Sequence, residues 1–242
     1  MPAPLPLPAC CSAPVTDWVL PQALPGLHLH SCRFDPAQLA ADDFARCALA
    51  APAGIASAAR KRQSEFLAGR LCAASALQAL CGQSSYPARG ADNAPCWPAG
   101  VTGSITHSHG WAAALVGAQD AWRGLGLDAE RLLGSDRAER LAGEILTADE
   151  LAHFRRLPEA ERGLHLTLCF SLKESLFKAL YPLVGRRFWF HAAALVEQAG
   201  DGRVRLQLRE DLDGEWRQGR CLDGQFAVRE ERLLSLVAVA AD

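Results

Sequence analysis

Asp128 and Glu130 stand two residues apart in the run GLGLDAE, residues 124–130. On an extended strand that spacing points both carboxylates to one face, whereas a helix would splay them. Gly124 and Gly126 fall on the same face just before them and leave the surface clear, while Leu125, Leu127 and Ala129 face the other way, toward a core. Two hard oxygen donors over a cleared surface suit Mg²⁺, which takes few protein carboxylates and completes its shell with water and phosphate oxygens. The plainer alternative is a pair of exposed acids at a strand end.

A second concentration of charge lies in FSLKESLFKAL, residues 170–180. The chain carries 22 arginines but only three lysines, and two of those, Lys173 and Lys178, flank Glu174 here. Lys is the cation chosen when a compact point charge must approach a phosphate. On a helical wheel Glu174 falls beside Tyr181 and Lys173 between Phe177 and Leu180, which sets charge on or beside an apolar arc. Such charges are costly unless paired or bound. Simpler readings stand beside this one. Ser171 and Glu174 match a capping box, and Glu174 with Lys178 matches the i, i+4 pair that modestly supports any helix.

In the first half, GSITHSHGW places His107 near Ser104 and Thr106, a set able to donate to a phosphate. A lone histidine is more often structural. RKRQSEFLAGR gathers Arg60, Lys61, Arg62 and Arg70 on a long helix, which a solvated basic face would also explain.

The elements that must carry these residues follow from patterning. The proline-rich first 30 residues read as extended, irregular chain. DPAQLAADDFARCAL opens a helix with Asp35 as N-cap, Pro36 at the first helical position and Gln38 closing a capping box. ASAARKRQSEFLAGRLCAASALQAL is a second, longer helix stopped by Gly82. Residues 84–100 form a loop with three prolines, followed by the short strands GSITHS and WAAALVG. GLGLDAE is a strand, TADELAHFRRL a helix boxed by Thr147 and Glu150, and SLKESLFKALYPLVG a third helix ended by Pro182 and Gly185. FWFHAAALVE, RVRLQLRE and LLSLVAVAA then read as strands. Helix followed by strands occurs in each half, so the expected class is α+β, with two similar halves packed together.

Composition sets the outer bounds. The chain has 242 residues, half of them hydrophobic and 21% charged, enough for one large domain or two small ones. A net charge of −2 gives no electrostatic case for nucleic-acid binding. Nine cysteines, an odd number without a C-x-x-C, argue against a disulfide framework and a structural zinc site and fit a reducing compartment. The start lacks a basic n-region, and no apolar run approaches the roughly 18 residues that span a bilayer. A cytoplasmic globular protein is the expectation.

WPAGVTGSITHS, then GLDAE, then FSLKESLFKA, in that order and at these separations, resembles the Sfp-type phosphopantetheinyl transferases. Within them the chain looks closest to the branch typified by enterobactin synthetase component D, with EFLAGR and the FDP near residue 34 fitting the same branch. The resemblance runs from about residue 34 to 185. It implies an α+β fold of two similar halves forming an intramolecular pseudo-dimer, divided near 120 into residues 1–120 and 121–242, with the active site between them.

It also implies site roles. Asp128, Glu130 and Glu174 match the family's metal ligands, with Asp128 also on the coenzyme side. Lys173 and Lys178 match the two lysines of its K-E-S/A motif. His107, Ser104 and Thr106 match the segment that contacts the 3′-phosphate side of coenzyme A, and Arg70 matches an arginine reaching the same phosphate. Arg62 is assigned to coenzyme A with less certain spacing against Arg60 and Lys61. Ala129 departs from the larger residue many relatives carry between the two acids.

The implied reaction is Mg²⁺-dependent transfer of 4′-phosphopantetheine from coenzyme A to a carrier-protein serine, releasing adenosine 3′,5′-bisphosphate. Glu174 would serve as base, Lys178 would stabilise the leaving group, and Lys173 would be a second flexible ammonium at the pyrophosphate. Partners would be acyl carrier proteins and peptidyl carrier domains of fatty-acid, polyketide or nonribosomal peptide synthases, met by a monomer, with GRRFWF at 185–190 a candidate docking patch. Two rivals are a Mg²⁺-dependent nucleotide pyrophosphatase and a catalytically silent protein that docks on carriers.

Overall fold

The computed structural model describes residues 5–241, which divide into two compact units. The first comprises the chain up to Trp18 and Leu24–Ala121; the second comprises Val19–Ala23 and Trp122 onward. No helix among the described residues is long and apolar enough to cross a membrane.

The first unit is built from β1 (His28–Arg33), short helices α1 (Asp43–Arg46) and α2 (Ala53–Ala56), the long helix α3 (Arg60–Cys81), a two-stranded ribbon β2 (Ala88–Arg89) and β3 (Pro95–Cys96), and the hairpin β4 (Val101–Ser108) with β5 (Trp111–Ala118). Its main sheet is antiparallel in the order β1-β5-β4. The hairpin turns through His109 and Gly110, both at positive φ, 44° and 75°, the twist a two-residue hairpin needs. Helix α3 lies on this sheet. Its Leu67, Ala68, Leu71 and Cys72 pack with Ala112 and Ala114 of β5 in one apolar cluster, and the small alanines allow helix and sheet to approach closely. Gly82 stops α3 in the left-handed region at φ 73°, as Gly at this position commonly does.

Two expectations fail in this unit. The helix predicted from Asp35 is instead a 3₁₀ turn over Pro36–Gln38 followed by the single turn α1. Asp35 does cap, accepting from the Ala37 N–H at 2.9 Å. The break comes because Asp43 is wholly buried and its carboxylate accepts from Ala9 and Ala40 backbone N–H groups, at 2.7 and 2.9 Å. Nor is the N-terminal chain merely irregular: Val15 bridges Ser31 of β1, and Cys11 bridges Phe34 just past its end.

The second unit runs β6 (Trp122–Arg131), α4 (Ser135–Ile145), α5 (Ala148–Phe154), α6 (Glu159–Val184), then β7 (Ala193–Gln198), β8 (Arg203–Leu208), β9 (Cys221–Arg229) and β10 (Arg232–Ala240). The five strands form an antiparallel sheet in the order β6-β10-β9-β8-β7. Helix α6 packs its Leu172, Leu176, Ala179 and Leu180 into a cluster with Leu233, Val237 and Val239 of β10. Two elements, α4 and β9, were not anticipated from the sequence. Helix α6 also begins twelve residues before Ser171, so the Ser171–Glu174 spacing is interior to a helix and is no capping box. The box at Thr147 and Glu150 is present, the Glu150 carboxylate accepting from the Thr147 N–H at 2.8 Å.

The face of β6 read as cleared by Gly124 and Gly126 is covered by α6. A Cβ at Gly126 would stand 1.7 Å from the Ser175 carbonyl oxygen, and one at Gly124 2.3 Å from that of Ala179. The glycines admit a helix backbone rather than a ligand. Leu125, Leu127 and Ala129, on the opposite face, are buried as expected.

Candidate active site

In the second unit the alternation of β6 puts Asp128 and Glu130 on the side of the sheet that meets α6. On α6, Ser171, Ser175 and Lys178 are spaced four and three apart, which stacks them on one stripe facing that strand. The contacts follow. Lys178 Nζ lies 2.7 Å from Asp128 Oδ1 and donates to the Leu127 carbonyl at 3.0 Å. Ser171 Oγ donates to Asp128 Oδ2 at 2.8 Å. Both carboxylate oxygens are thus held, one by an ammonium and one by a hydroxyl.

Glu130 and Glu174 are half-buried in the field of Asp128. Burial first, then repulsion from Asp128 and from Glu174, push the Glu130 carboxyl up to about 7, against partial relief from Lys178. Glu174 is raised by burial, with Lys178 opposing and Asp128 reinforcing. Three mutually repelling carboxylates make a set of hard oxygen donors whose strain a divalent cation would relieve, and by donor chemistry they fit Mg²⁺. They are not gathered as a ready-made site: among the described residues no group of three His, Cys, Asp or Glu side chains stands arranged to hold a metal.

Lys173 requires correction. It was expected as a flexible ammonium for phosphate, yet its side chain is 2% exposed. Its Nζ donates to Glu150 Oε2 at 2.7 Å and to the Ile145 carbonyl at 2.8 Å. Glu150 also accepts from the Thr147 hydroxyl and the Leu195 N–H, at 2.9 and 2.8 Å. Five residues along a helix is a turn of about 140°, so Lys173 and Lys178 leave α6 on different sides. Lys173 ties α6 to the end of α4, the start of α5 and strand β7.

Beside Glu174 an apolar pocket of about 200 Å³ is lined by Phe177, Arg187, Phe188, Trp189 and Phe190, among others. Trp189 is 74% exposed. Of the two arginines in GRRFWF only Arg187 reaches this pocket; Arg186 donates to the carbonyls of Asp211 and Leu212.

In the first unit a polar pocket is lined by Arg62, Glu65, Arg70, Arg89 and His107. Arg70 is only 6% exposed, its Nε has no hydrogen-bond partner, and burial, then Arg89 and Arg62, bring its guanidinium down to about 10. Arg62 Nη1 lies 3.0 Å from His107 Nε2. A guanidinium can only donate, so Nε2 is the acceptor and the ring proton sits on Nδ1, 3.8 Å from Glu65 Oε2. Three arginines against one carboxylate leave this pocket short of negative charge, with a buried donor unspent. Such a lining suits an anion.

The neighbouring expectations divide. Of the basic run, Arg62 lines the pocket; Arg60 is spent on the Pro36, Ala37 and Leu39 carbonyls, and Lys61 is exposed beside Glu65. Ser104 and Thr106 are buried on the face of β4 opposite to Ile105 and His107, so their side chains are not brought into the pocket with His107. The period of two that groups Asp128 with Glu130 separates these three. Arg89 was missed because the proline-rich run 84–100 reads as loop, and its two-residue strand β2 is too short to show a periodicity. Glu150 was read only as a capping carboxylate, because its pairing with Lys173 is purely spatial.

Comparison with known proteins agrees with the two units. Residues 50–117 match the family model for the 4′-phosphopantetheinyl transferase N-terminal domain, and residues 124–229 that for the 4′-phosphopantetheinyl transferase superfamily. Enterobactin synthase component D of Escherichia coli O157:H7 is 39% identical over 156 residues, covering 64% of this chain and 71% of the relative. The 4′-phosphopantetheinyl transferase Svp of Streptomyces mobaraensis is 34% identical over 195 residues, 78% of this chain and 77% of its own. The 4′-phosphopantetheinyl transferase PptT of Mycobacterium tuberculosis is 36% identical over 193 residues, 76% of this chain and 82% of its own. With both units matched in order and an Asp–Lys–Glu cluster on the second, this chain belongs to the Sfp-type 4′-phosphopantetheinyl transferases, in the branch similar to enterobactin synthase component D.

Proposed function

We propose that the chain transfers 4′-phosphopantetheine from coenzyme A to a serine hydroxyl of an apo carrier protein, releasing adenosine 3′,5′-bisphosphate. The observation that carries this is the Asp128–Lys178 pair beside two carboxyls of raised proton affinity, Glu130 and Glu174. Displacement at phosphorus asks for positioning and charge stabilisation rather than a covalent enzyme intermediate. Glu174 is the base: burial raises its affinity for a proton, which suits a carboxylate that must take one from a serine hydroxyl. Lys178, one turn further along α6, supplies positive charge to the leaving phosphate. Asp128, Glu130 and Glu174 would hold Mg²⁺, whose part is to neutralise pyrophosphate oxygens.

Arg62, Arg70 and His107, joined by Arg89, are the proposed seat of the 3′-phosphate, and the unspent Arg70 Nε supports that reading. The exposed Trp189 and Arg187 are the proposed contact for an acidic carrier. A monomer acting in the cytoplasm completes the reading.

Intact mass spectrometry tests it. The protein is incubated with an apo peptidyl carrier domain or an apo acyl carrier protein, coenzyme A and Mg²⁺. A phosphopantetheine mass gain on either carrier, lost with EDTA and with Glu174→Gln, is expected. No gain on any carrier would overturn the reaction.

A further inference from the structure

Ser171, Ser175 and Ser235 are all fully buried, and they form one connected set. Ser235 sits on β10 directly opposite Asp128 in the antiparallel register, so the two share a face of the sheet. Ser171 Oγ lies 2.7 Å from Ser235 Oγ. Ser175 Oγ lies 2.8 Å from Ser235 Oγ and 3.1 Å from the Ser235 carbonyl oxygen. A serine within a helix ordinarily turns its hydroxyl to solvent or to the carbonyl four residues back. Neither Ser171 nor Ser175 does so; both are spent across the packing interface between α6 and the sheet.

Counting protons gives the set a direction. Each hydroxyl has one proton to donate, and a carboxylate only accepts. Ser171 therefore gives its proton to Asp128 Oδ2, at 2.8 Å, and must accept from Ser235. Ser235, having donated, can only accept from Ser175, whose one proton is shared between Ser235 Oγ at 2.8 Å and the Ser235 carbonyl oxygen at 3.1 Å. The run Ser175→Ser235→Ser171→Asp128 has a single polarity, imposed from its carboxylate end.

We propose that this hydroxyl chain is a positioning device for Asp128: it fixes the carboxylate plane through Oδ2 and reserves Oδ1 for a cation. Lys178 Nζ is the positive charge that faces Oδ1 in this structure, at 2.7 Å. Ser171 is the decisive member because it alone touches the carboxylate; Ser235 orients Ser171, and Ser175 orients Ser235. Partners of this kind behind a metal-binding carboxylate typically alter metal affinity 10–100-fold when removed. The inference rests on the reading of Asp128 as a cation ligand.

The experiment is a Mn²⁺ titration followed by loss of the free-ion EPR signal, with the full chain and one equivalent of coenzyme A. Coenzyme A alone is the blank. Ser171→Ala, Ser235→Ala and Ser175→Ala are compared with the parent, and urea denaturation is measured on each. Affinity falls at least about 10-fold for Ser171→Ala, less for Ser235→Ala and least for Ser175→Ala, while Ser171→Thr, which keeps the hydroxyl, retains most of it. Ser171→Ala, which strips a buried carboxylate of its donor, also costs the most stability, so affinity is read on the fully folded protein of each variant. Equal affinity losses, or none, would overturn the inference and leave the proposed transferase standing. Absence of Mn²⁺ binding to the parent chain would remove the metal reading itself, and the inference with it.

Discussion

Replacing Lys173 with methionine separates a structural lysine from a chemical one. The methionine keeps most of the aliphatic stem but leaves Glu150 without its ammonium, and the Ile145 carbonyl without its donor. Breaking a pair buried to this degree, with side chains 2% and 6% exposed, by removing one partner costs about 3–5 kcal/mol. Glu150 keeps three donors, from Thr147 N–H, Thr147 hydroxyl and Leu195 N–H, which places the expected loss near the lower end, about 3 kcal/mol. For a chain of this size that is a fall in Tm of about 6–12 °C. Calorimetry and guanidinium denaturation would measure it, and the double variant with Glu150→Gln should be less destabilised than the sum of the singles by about 0.5–3 kcal/mol. Transfer kinetics, taken well below the lowered midpoint, should stay close to the parent for Lys173→Met and collapse for Lys178→Ala. A Lys173→Met protein as stable as the parent but inactive would refute the reasoning and return Lys173 to the phosphate.

Gly126→Ala should cost more than about 3 kcal/mol or abolish folding, because its Cβ would stand 1.7 Å from the Ser175 carbonyl and α6 would have to lift from β6; circular dichroism melts would read the loss, and a near-parental melt would deny the contact. Glu130, pushed up to about 7 from 4.5, favours the folded state while protonated. That contribution is complete below pH 4.5 and is lost as pH rises through about 7. Metal-free stability of the parent should therefore decline across this window relative to Glu130→Gln, and parallel pH profiles would disprove it. Among the thiols, Cys81, Cys96 and Cys221 are exposed, whereas burial pushes those of Cys47 and Cys169 up. A thiol-specific disulfide reagent at pH 8 should modify the exposed three quickly and the buried ones only on unfolding; rapid reaction of all nine would contradict the packing.

Much of the site follows from periodicity alone. The strand through GLGLDAE puts Asp128 and Glu130 on one face because side chains alternate, and that holds in any fold that makes this segment a strand. Gly82 and Gly185 stop their helices because each adopts positive φ, 73° and 67°. The same arithmetic also bears on Lys173 and Lys178: a helix separates residues five apart by about 140°, so two lysines that look adjacent in sequence leave α6 on different sides.

Tertiary structure decided everything that depends on which surfaces meet. Glycines on a strand clear space, but only the packing shows that the backbone of α6 fills it. Glu150 is a helix-capping carboxylate in sequence; its role as the counter-ion of Lys173 exists only because α5 and α6 pack together. Ser235 is one small residue in an apolar strand until the β6–β10 register sets it opposite Asp128. Local pattern fixes a side chain's direction from its own backbone, whereas the partner it finds there is set by contacts between residues far apart in the chain, 64 positions in the case of Ser171 and Ser235.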